Sequence, residues 1–212
     1  MNILAIGAHP DDIEFGCGGT LLRYAEEGHN VYLFVLTRGS EGGSARVRSA
    51  EQKKAAGALG AKELFFGDHE DTRLPVDKDL ISEVERLVRK VQPETVFVHF
   101  GQDTHQDHRN LSSAVVSAAR FAPTVLFYEG PSTQNFSPSV FVDIASTFER
   151  KLSALKAHAS QVTRTKVKDL TIIEVARATA HFRGTQTHIQ LAEGFVPLRM
   201  LQVIPTLART GL

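Results

Sequence analysis

The sequence has a single cysteine, Cys17, and no tryptophan in 212 residues. One thiol excludes an intrachain disulfide, so the fold must be held by its own apolar core, and a chain of this length can bury one. Net charge is also missing: 24 Lys and Arg balance 24 Asp and Glu. That balance argues against a general nucleic-acid binder, whose footprint is basic, and leaves only a local basic patch open. No apolar run approaches the roughly 20 residues that span a bilayer. Met1-Asn2 lacks a basic leader, and His9 and Asp11 interrupt the first apolar run too early for a secretory signal. The expected compartment is the cytoplasm, where the sequons at Asn110 and Asn135 are chance matches. Repeats, low-complexity tracts, a G-x-S-x-G elbow and a G-K-[ST] phosphate loop are all absent.

What the sequence does have is a strand–helix rhythm. Apolar runs at Ile3–Ala8, Val31–Leu36, Glu63–Phe66, Thr95–Phe100 and Val125–Tyr128 predict strands. Between them, helices are predicted over Gly19–Glu27, Arg46–Leu59, Leu80–Val91 and Leu111–Phe121. Gly28 and Gly60 follow two of them as stop signals. The fold class is α/β, a Rossmann-like, mostly parallel sheet with helices on both faces and strand order 3-2-1-4-5. After Tyr128 the rhythm changes to a strand (Val140–Ile144), helices (Thr147–His158 and 168–182) and an extended piece (Phe195–Val203). This is a small C-terminal α+β appendage expected to close over one end of the sheet, and residues 1–212 read as one domain. Phe195, Val196 and Leu198 could be core or a subunit contact, so a homo-oligomer is possible.

Two clusters stand where strands end. His9-Pro-Asp-Asp12 follows strand one, and Asp103-Thr-His-Gln-Asp-His108 follows strand four. In open α/β sheets ligands bind beyond the carboxyl ends of strands, and strands one and four are expected neighbours. Two imidazoles and one carboxylate with an open position make a catalytic zinc site. His9, Asp12 and His108 could supply that set, leaving Asp11 free as a general base. His105 could donate a proton, with Asp107 orienting it through the other ring nitrogen. A lone His beside Asp is usually a surface pair, but two such clusters at adjacent strand ends favour a metal. Zinc suits these ligands better than manganese or iron. Gly16, Gly18 and Gly19 lack the G-x-G-x-x-G spacing and read as close-packing glycines. Cys17 reads as a small buried residue. Histidines 29, 69, 99, 158, 181 and 188 read as structural or surface groups, with His99 the one to watch, six residues before His105.

These motifs resemble the LmbE-like, or PIG-L, zinc-dependent de-N-acetylases. Thr37-Arg-Gly-Ser-Glu41-Gly42 resembles that family's T-x-G-E-x-G turn, with one extra residue. Arg48-Ser-Ala-Glu51 resembles its R-x-x-E helix, and Ser160-Gln161 and Ala192-Glu-Gly-Phe195 resemble its later signatures. The resemblance implies one zinc held by His9, Asp12 and His108. It implies Asp11 as base, His105 for oxyanion or acid catalysis and Asp107 as its orienting partner. It also places Arg48 near the substrate and Asp71, on a looser match, against a sugar. The implied reaction removes acetyl from a small N-acetylglucosamine-type conjugate, with no nucleic acid and no membrane span. Amide cleavage in a conjugate that is not an acetyl sugar, and a non-catalytic sugar- or nucleotide-binding module, are the alternatives. The loop Pro131–Phe136 could contact whatever lies beyond the sugar, or only solvent.

Overall fold

The computed structural model describes residues 1–202. Strand β1 (Asn2–Gly7) is followed by α1 (Asp12–Glu26), β2 (Asn30–Thr37), a 3-10 turn (Ser40–Gly42) and α2 (Ala45–Ala58). Then come β3 (Glu63–His69), α3 (Lys78–Val91), β4 (Thr95–His99), α4 (Gln106–Ala118) and β5 (Thr124–Tyr128). The last elements are β6 (Val140–Asp143), α5 (Phe148–Lys156), α6 (Ile172–Gln186) and β7 (Ala192–Arg199). The seven strands form one sheet in the order β3-β2-β1-β4-β5-β7-β6. The first five are parallel in the expected 3-2-1-4-5 order, while β7 and β6 add antiparallel to the β5 edge. The C-terminal α+β portion therefore lengthens the sheet through β7 and β6, and its α5–α6 segment also closes over the carboxyl edge of the strands, as expected. Val203, the end of the expected last extended piece, lies outside the described residues.

Each central strand buries both faces, which explains its continuous apolar run. Leu4 and Ile6 of β1 pack on one side with Leu80 and Val84 of α3 and Leu111 and Val115 of α4. Ile3 and Ala5 point the other way, to Ile13, Leu21 and Leu22 of α1 and Leu59 beyond α2. Fully burying one such side chain stabilises the fold by roughly 1.5–3 kcal/mol. Phe195 is buried in this second layer, whereas Leu198 is exposed.

Two helices begin earlier than their apolar periodicity suggests, and both shifts carry site residues. Helix α1 starts at Asp12, not Gly19, because its glycines are packing positions. A Cβ on Gly16 would stand 2.1 Å from the Tyr128 ring, and one on Gly19 would stand 2.8 Å from Ile144. Helix α4 starts at Gln106, not Leu111, with His105 as its N-cap. Its polar first turn resembles a loop in sequence, but the capping side chain and the buried contacts of Asp107 and His108 make it helical. Cys17 is buried and donates to the Ile13 carbonyl.

Candidate metal centre

Strands β1 and β4 are neighbours, so the segments after them meet at the carboxyl edge of the sheet. His9 leaves β1 and Asp12 opens α1, while His108 sits in the first turn of α4. Their donor atoms converge. His9 Nδ1 lies 3.3 Å from His108 Nε2 and 3.3 Å from Asp12 Oδ2, and His108 Nε2 lies 3.4 Å from Asp12 Oδ1. A tetrahedral zinc with bonds of about 2.0–2.1 Å spaces neighbouring donors about 3.3 Å apart. Donor chemistry and spacing thus both fit a zinc ion.

Neighbouring carboxylates aim each imidazole. Nε2 of His9 lies 3.0 Å from Asp71 Oδ1 and 3.1 Å from Asp107 Oδ2. A proton held there leaves the Nδ1 lone pair facing Asp12 and His108. For His108, Asp103 Oδ2 is 3.2 Å from Nδ1, which leaves Nε2 facing the cluster. Asp103 is itself fixed, accepting from the His105 amide at 2.8 Å and the Thr133 hydroxyl at 2.9 Å. His99 stacks on His108 with ring centroids 3.9 Å apart. Its Nε2 lies 3.2 Å from the Ala8 amide and 3.1 Å from Asp12 Oδ2. Three further donor groups overlap this cluster among the described residues: His9, His105 and His108; Asp12, His99 and His108; and His9, Asp71 and Asp107.

Before any cation binds, burial and charge set the protonation. Burial alone lowers the pKa of His9, but hydrogen bonds to Asp107, Asp12 and Asp71 raise it well above its usual value. For His108, burial is likewise outweighed by the Asp12 charge and by hydrogen bonds to Asp103 and Asp12, which push it up to about 9. Burial and the charge of His108 pull His99 down to about 4. Asp12 is held well below the carboxylate range, burial being overcome by His108 and His99. A pocket of this kind, with acids ionised around imidazoles, favours a bound cation.

Asp11 stands apart from the donors. Its side chain is 28% exposed to the cavity, yet surrounding protein desolvates it and, against the opposing charge of Arg48, raises its pKa to about 6. Asp11 also has a φ of 96°, which is unusual for a non-glycine residue. Both polar atoms of the Pro10–Asp11 peptide are gripped from α2. Arg48 Nη2 donates to the Pro10 carbonyl at 2.7 Å, and Gln52 Oε1 accepts the Asp11 amide at 3.2 Å. Arg48 and Gln52 are one helical turn apart, so a single helix face makes both contacts. Gln52 is oriented by Glu14 at 2.7 Å, and Arg48 also donates to the Gly39 carbonyl at 2.9 Å. Gly39 has a φ of 65°, and a Cβ there would stand 2.1 Å from the guanidinium.

The other expected site residues are distributed as follows. His105 lines the cavity as the N-cap of α4, its ring centroid 4.6 Å from that of His9. Its Nδ1 accepts the Asp107 amide at 3.2 Å, so the proton of the neutral ring sits on Nε2. Burial and the charges of His9 and His108 lower its pKa. The expectation that the Asp107 carboxylate orients His105 is corrected. That carboxylate points toward β3 and α3, where it accepts from Thr72 N at 2.8 Å and Leu74 N at 3.2 Å and meets His9. A first-turn side chain of α4 faces those amides, and only its backbone faces His105. Asp71 lines the cavity but is occupied by His9 and by the Glu41 amide at 2.8 Å. Arg48 is a buried strut on the cavity wall. In the Pro131–Phe136 loop, Pro131 and Ser132 line the cavity and Thr133 ties back to Asp103. Glu51 binds the amide and hydroxyl of Ser160 at 2.8 and 2.7 Å, which joins two separate sequence motifs. Sequence reasoning missed Gln52, and it gave Asp103 no role although Asp103 stands inside the downstream motif.

The cavity over this cluster has a volume of about 500 Å³. Fold and site together define an α/β protein with a candidate metal centre and, beside it, an Arg48-paired carboxylate at the sheet's switch point. The family model described as PIG-L, GlcNAc-PI de-N-acetylase, matches residues 4–119, and the chain belongs to this family of LmbE-like deacetylases, enzymes that hydrolyse amide bonds. An uncharacterized deacetylase of Escherichia coli K12, YaiS, is 38% identical over 167 residues, covering 74% of this chain and 90% of that one. Diacetylchitobiose deacetylase of Thermococcus kodakarensis is 29% identical over 96% of this chain and 86% of its own. The crystal structure of GalB, the 4-carboxy-2-hydroxymuconate hydratase of Pseudomonas putida KT2440, is 26% identical with a TM-score of 0.83, covering 98% of this chain and 99% of its own.

Proposed function

We propose that this chain is a single-domain, cytoplasmic, zinc-dependent hydrolase that removes the N-acetyl group from an N-acetylglucosamine-type amino sugar or conjugate. The observation that carries this reading is the mutual 3.3–3.4 Å approach of His9, Asp12 and His108 beside the Asp11 carboxylate, which lies outside that donor set with Oδ2 3.3 Å from Arg48 Nη2. His9, Asp12 and His108 would hold a zinc ion, which would supply Lewis acidity toward the acetyl carbonyl and lower the pKa of water toward neutrality. Asp11, its pKa raised to about 6, takes the proton of the attacking water. The Nε2 proton of His105 faces the developing oxyanion and is available to the departing nitrogen. The C–O bond forms first and the carbonyl oxygen takes the negative charge; as the carbonyl re-forms, the C–N bond breaks and the proton held by Asp11 passes to the amine. Asp71 and Asp107 aim His9, Asp103 aims His108, and Arg48 and Gln52 hold Asp11 in place.

The test is metal content and acetate release from diacetylchitobiose and N-acetylglucosamine conjugates, for the wild type, Asp11→Asn and His108→Ala. Wild type is expected to hold about one zinc and release acetate. Asp11→Asn should keep zinc and lose at least about 100-fold in rate, within the range of general-base catalysis. His108→Ala should lose both. Unchanged acetate release in Asp11→Asn would overturn the mechanism. The hydratase relative supplies the competing chemistry, so hydration of an unsaturated tricarboxylate without any acetate release would replace the reading.

A further inference from the structure

Resting on that deacetylase reading, we propose that the substrate's group beyond the sugar is an apolar alkyl or aryl aglycone, seated in a subsite formed by the loop between α5 and α6. The cavity has two kinds of wall from two parts of the fold. The segments at the strand ends line it with polar side chains, among them Asp11, Asp71, Thr72 and His105. The loop before α6 begins on the wall with the polar Gln161, Arg164 and Thr165, the first two of which donate to the Gly42 carbonyl. It continues into the first turn of α6 with the apolar Val167, Leu170, Ile172 and Val175, and Phe15 of α1 completes this apolar part.

That loop is closed on itself. The Ile172 amide donates to the Val162 carbonyl at 2.9 Å, and the Thr165 hydroxyl donates to the Leu170 carbonyl at 2.6 Å. Lys166 and Asp169 both have positive φ, 64° and 58°, which turns the chain sharply between them. The base of the loop is tethered across the cavity, where Gln161 Nε2 donates to the Gly42 carbonyl at 3.2 Å. A compact loop packed by its own contacts is a common place for a binding surface. Here it holds Val167 58% exposed on the cavity wall.

Phe15 and the partly buried Ile172 and Val175 also belong to a small apolar cluster with Phe148 and Leu152. An apolar group in the cavity would extend a core that already exists. The acetyl group must reach the donors at the polar end, so the apolar end is left for the opposite part of the substrate. A free hydroxylated sugar would leave this wall wet, and an alkyl or aryl group would dry it.

The experiment compares N-acetylglucosamine with its methyl, phenyl and octyl glycosides, below micelle formation, and with N-octanoylglucosamine. Acyl release is measured alongside calorimetric binding, for the wild type and for Val167→Asp. The octyl glycoside is expected to bind and react at least about tenfold better than the methyl glycoside, a modest return for burying several methylenes. Val167→Asp should remove most of that gain while lowering the methyl glycoside much less. Equal acetate release and equal affinity across the glycosides would overturn the subsite and leave the deacetylase reading standing. Tight octyl binding that Val167→Asp abolishes, with no acetate from any glycoside, would keep the subsite and sink the deacetylase reading. A gain seen only with N-octanoylglucosamine would assign the wall to the acyl side and overturn the aglycone assignment.

Discussion

Gln52 holds the backbone of Asp11: its side-chain oxygen accepts the Asp11 amide at 3.2 Å, opposite the grip of Arg48 on the preceding carbonyl. A peptide clamped on both polar atoms is fixed on one side of the Asp11 N–Cα bond, and α1, starting at Asp12, fixes the other, so Asp11 is kept at a φ of 96°. Gln52→Leu should release the plane. The expected result is a fall in kcat of about tenfold or more, since small misplacements of a catalytic group are costly, with zinc content and KM little changed. Glu14 would also lose its partner, at a cost of about 1–3 kcal/mol in stability. Steady-state kinetics and a denaturant titration check both, and an unchanged kcat in a folded, zinc-loaded variant would remove Gln52 from the site.

The contact between Asp107 and His9 separates two roles for that aspartate. If Asp107 served His105, Asp107→Asn would lower turnover and spare the metal. Because its carboxylate aims His9, the variant should instead bind zinc about 10–100-fold more weakly. Competition against a chelator of known affinity reads this directly. Zinc affinity equal to wild type would restore the first role.

His158 is a buried imidazole with Nε2 3.4 Å from Glu14 Oε2. Burial lowers its pKa, but the nearby charges of Glu14 and Asp11 raise it overall above its usual value. A group whose folded pKa is raised binds protons more tightly when folded. Its stabilisation is complete below the unfolded pKa and disappears as pH rises through the folded one. The stability difference between wild type and His158→Gln should therefore be largest below pH 6.5 and shrink steadily above it. Urea titrations at constant metal content over that range test this, and a difference that grows with pH would contradict it.

Gly16 and Gly57 both lie inside helices, yet substitution by alanine should have opposite signs. At Gly16 a Cβ meets the Tyr128 ring at 2.1 Å, and that ring is held by a 2.8 Å hydrogen bond from its hydroxyl to the Ile6 carbonyl. Gly16→Ala should cost about 1–3 kcal/mol through overpacking. At Gly57 nothing lies within 4 Å, and alanine there should stabilise by about 0.5–1 kcal/mol through helix propensity. Thermal melts of the two variants decide the point.

The sheet was legible because its strands are fully buried and therefore uniformly apolar, and the strand–helix alternation carries the parallel order. The first cluster was legible because charged residues interrupt an apolar run at a strand end. Helix starts were not, since the residues that begin α1 and α4 are polar or glycine for the sake of the site and of packing. Asp103 stood in plain view without a role, because only folding brings it to the back of His108. Gln52 had no local signal: an uncharged residue on a Lys- and Ala-rich helix looks like solvent-facing surface until the helix is docked.

What the sequence determined by itself is the layered α/β plan, the meeting of His9 and Asp12 with His108 across neighbouring strands, and the separation of Asp11 from that set. Hydrophobic periodicity and strand adjacency suffice for the first two; the separation of Asp11 from the donors is what the family resemblance implies. The tertiary structure alone decided which carboxylate aims which imidazole, which side chains grip the Pro10–Asp11 peptide, and that one wall of the cavity is apolar. Those outcomes depend on contacts of about 3 Å between residues far apart in the chain. Hydrogen-bond geometry at that range is set by packing, which local sequence does not encode.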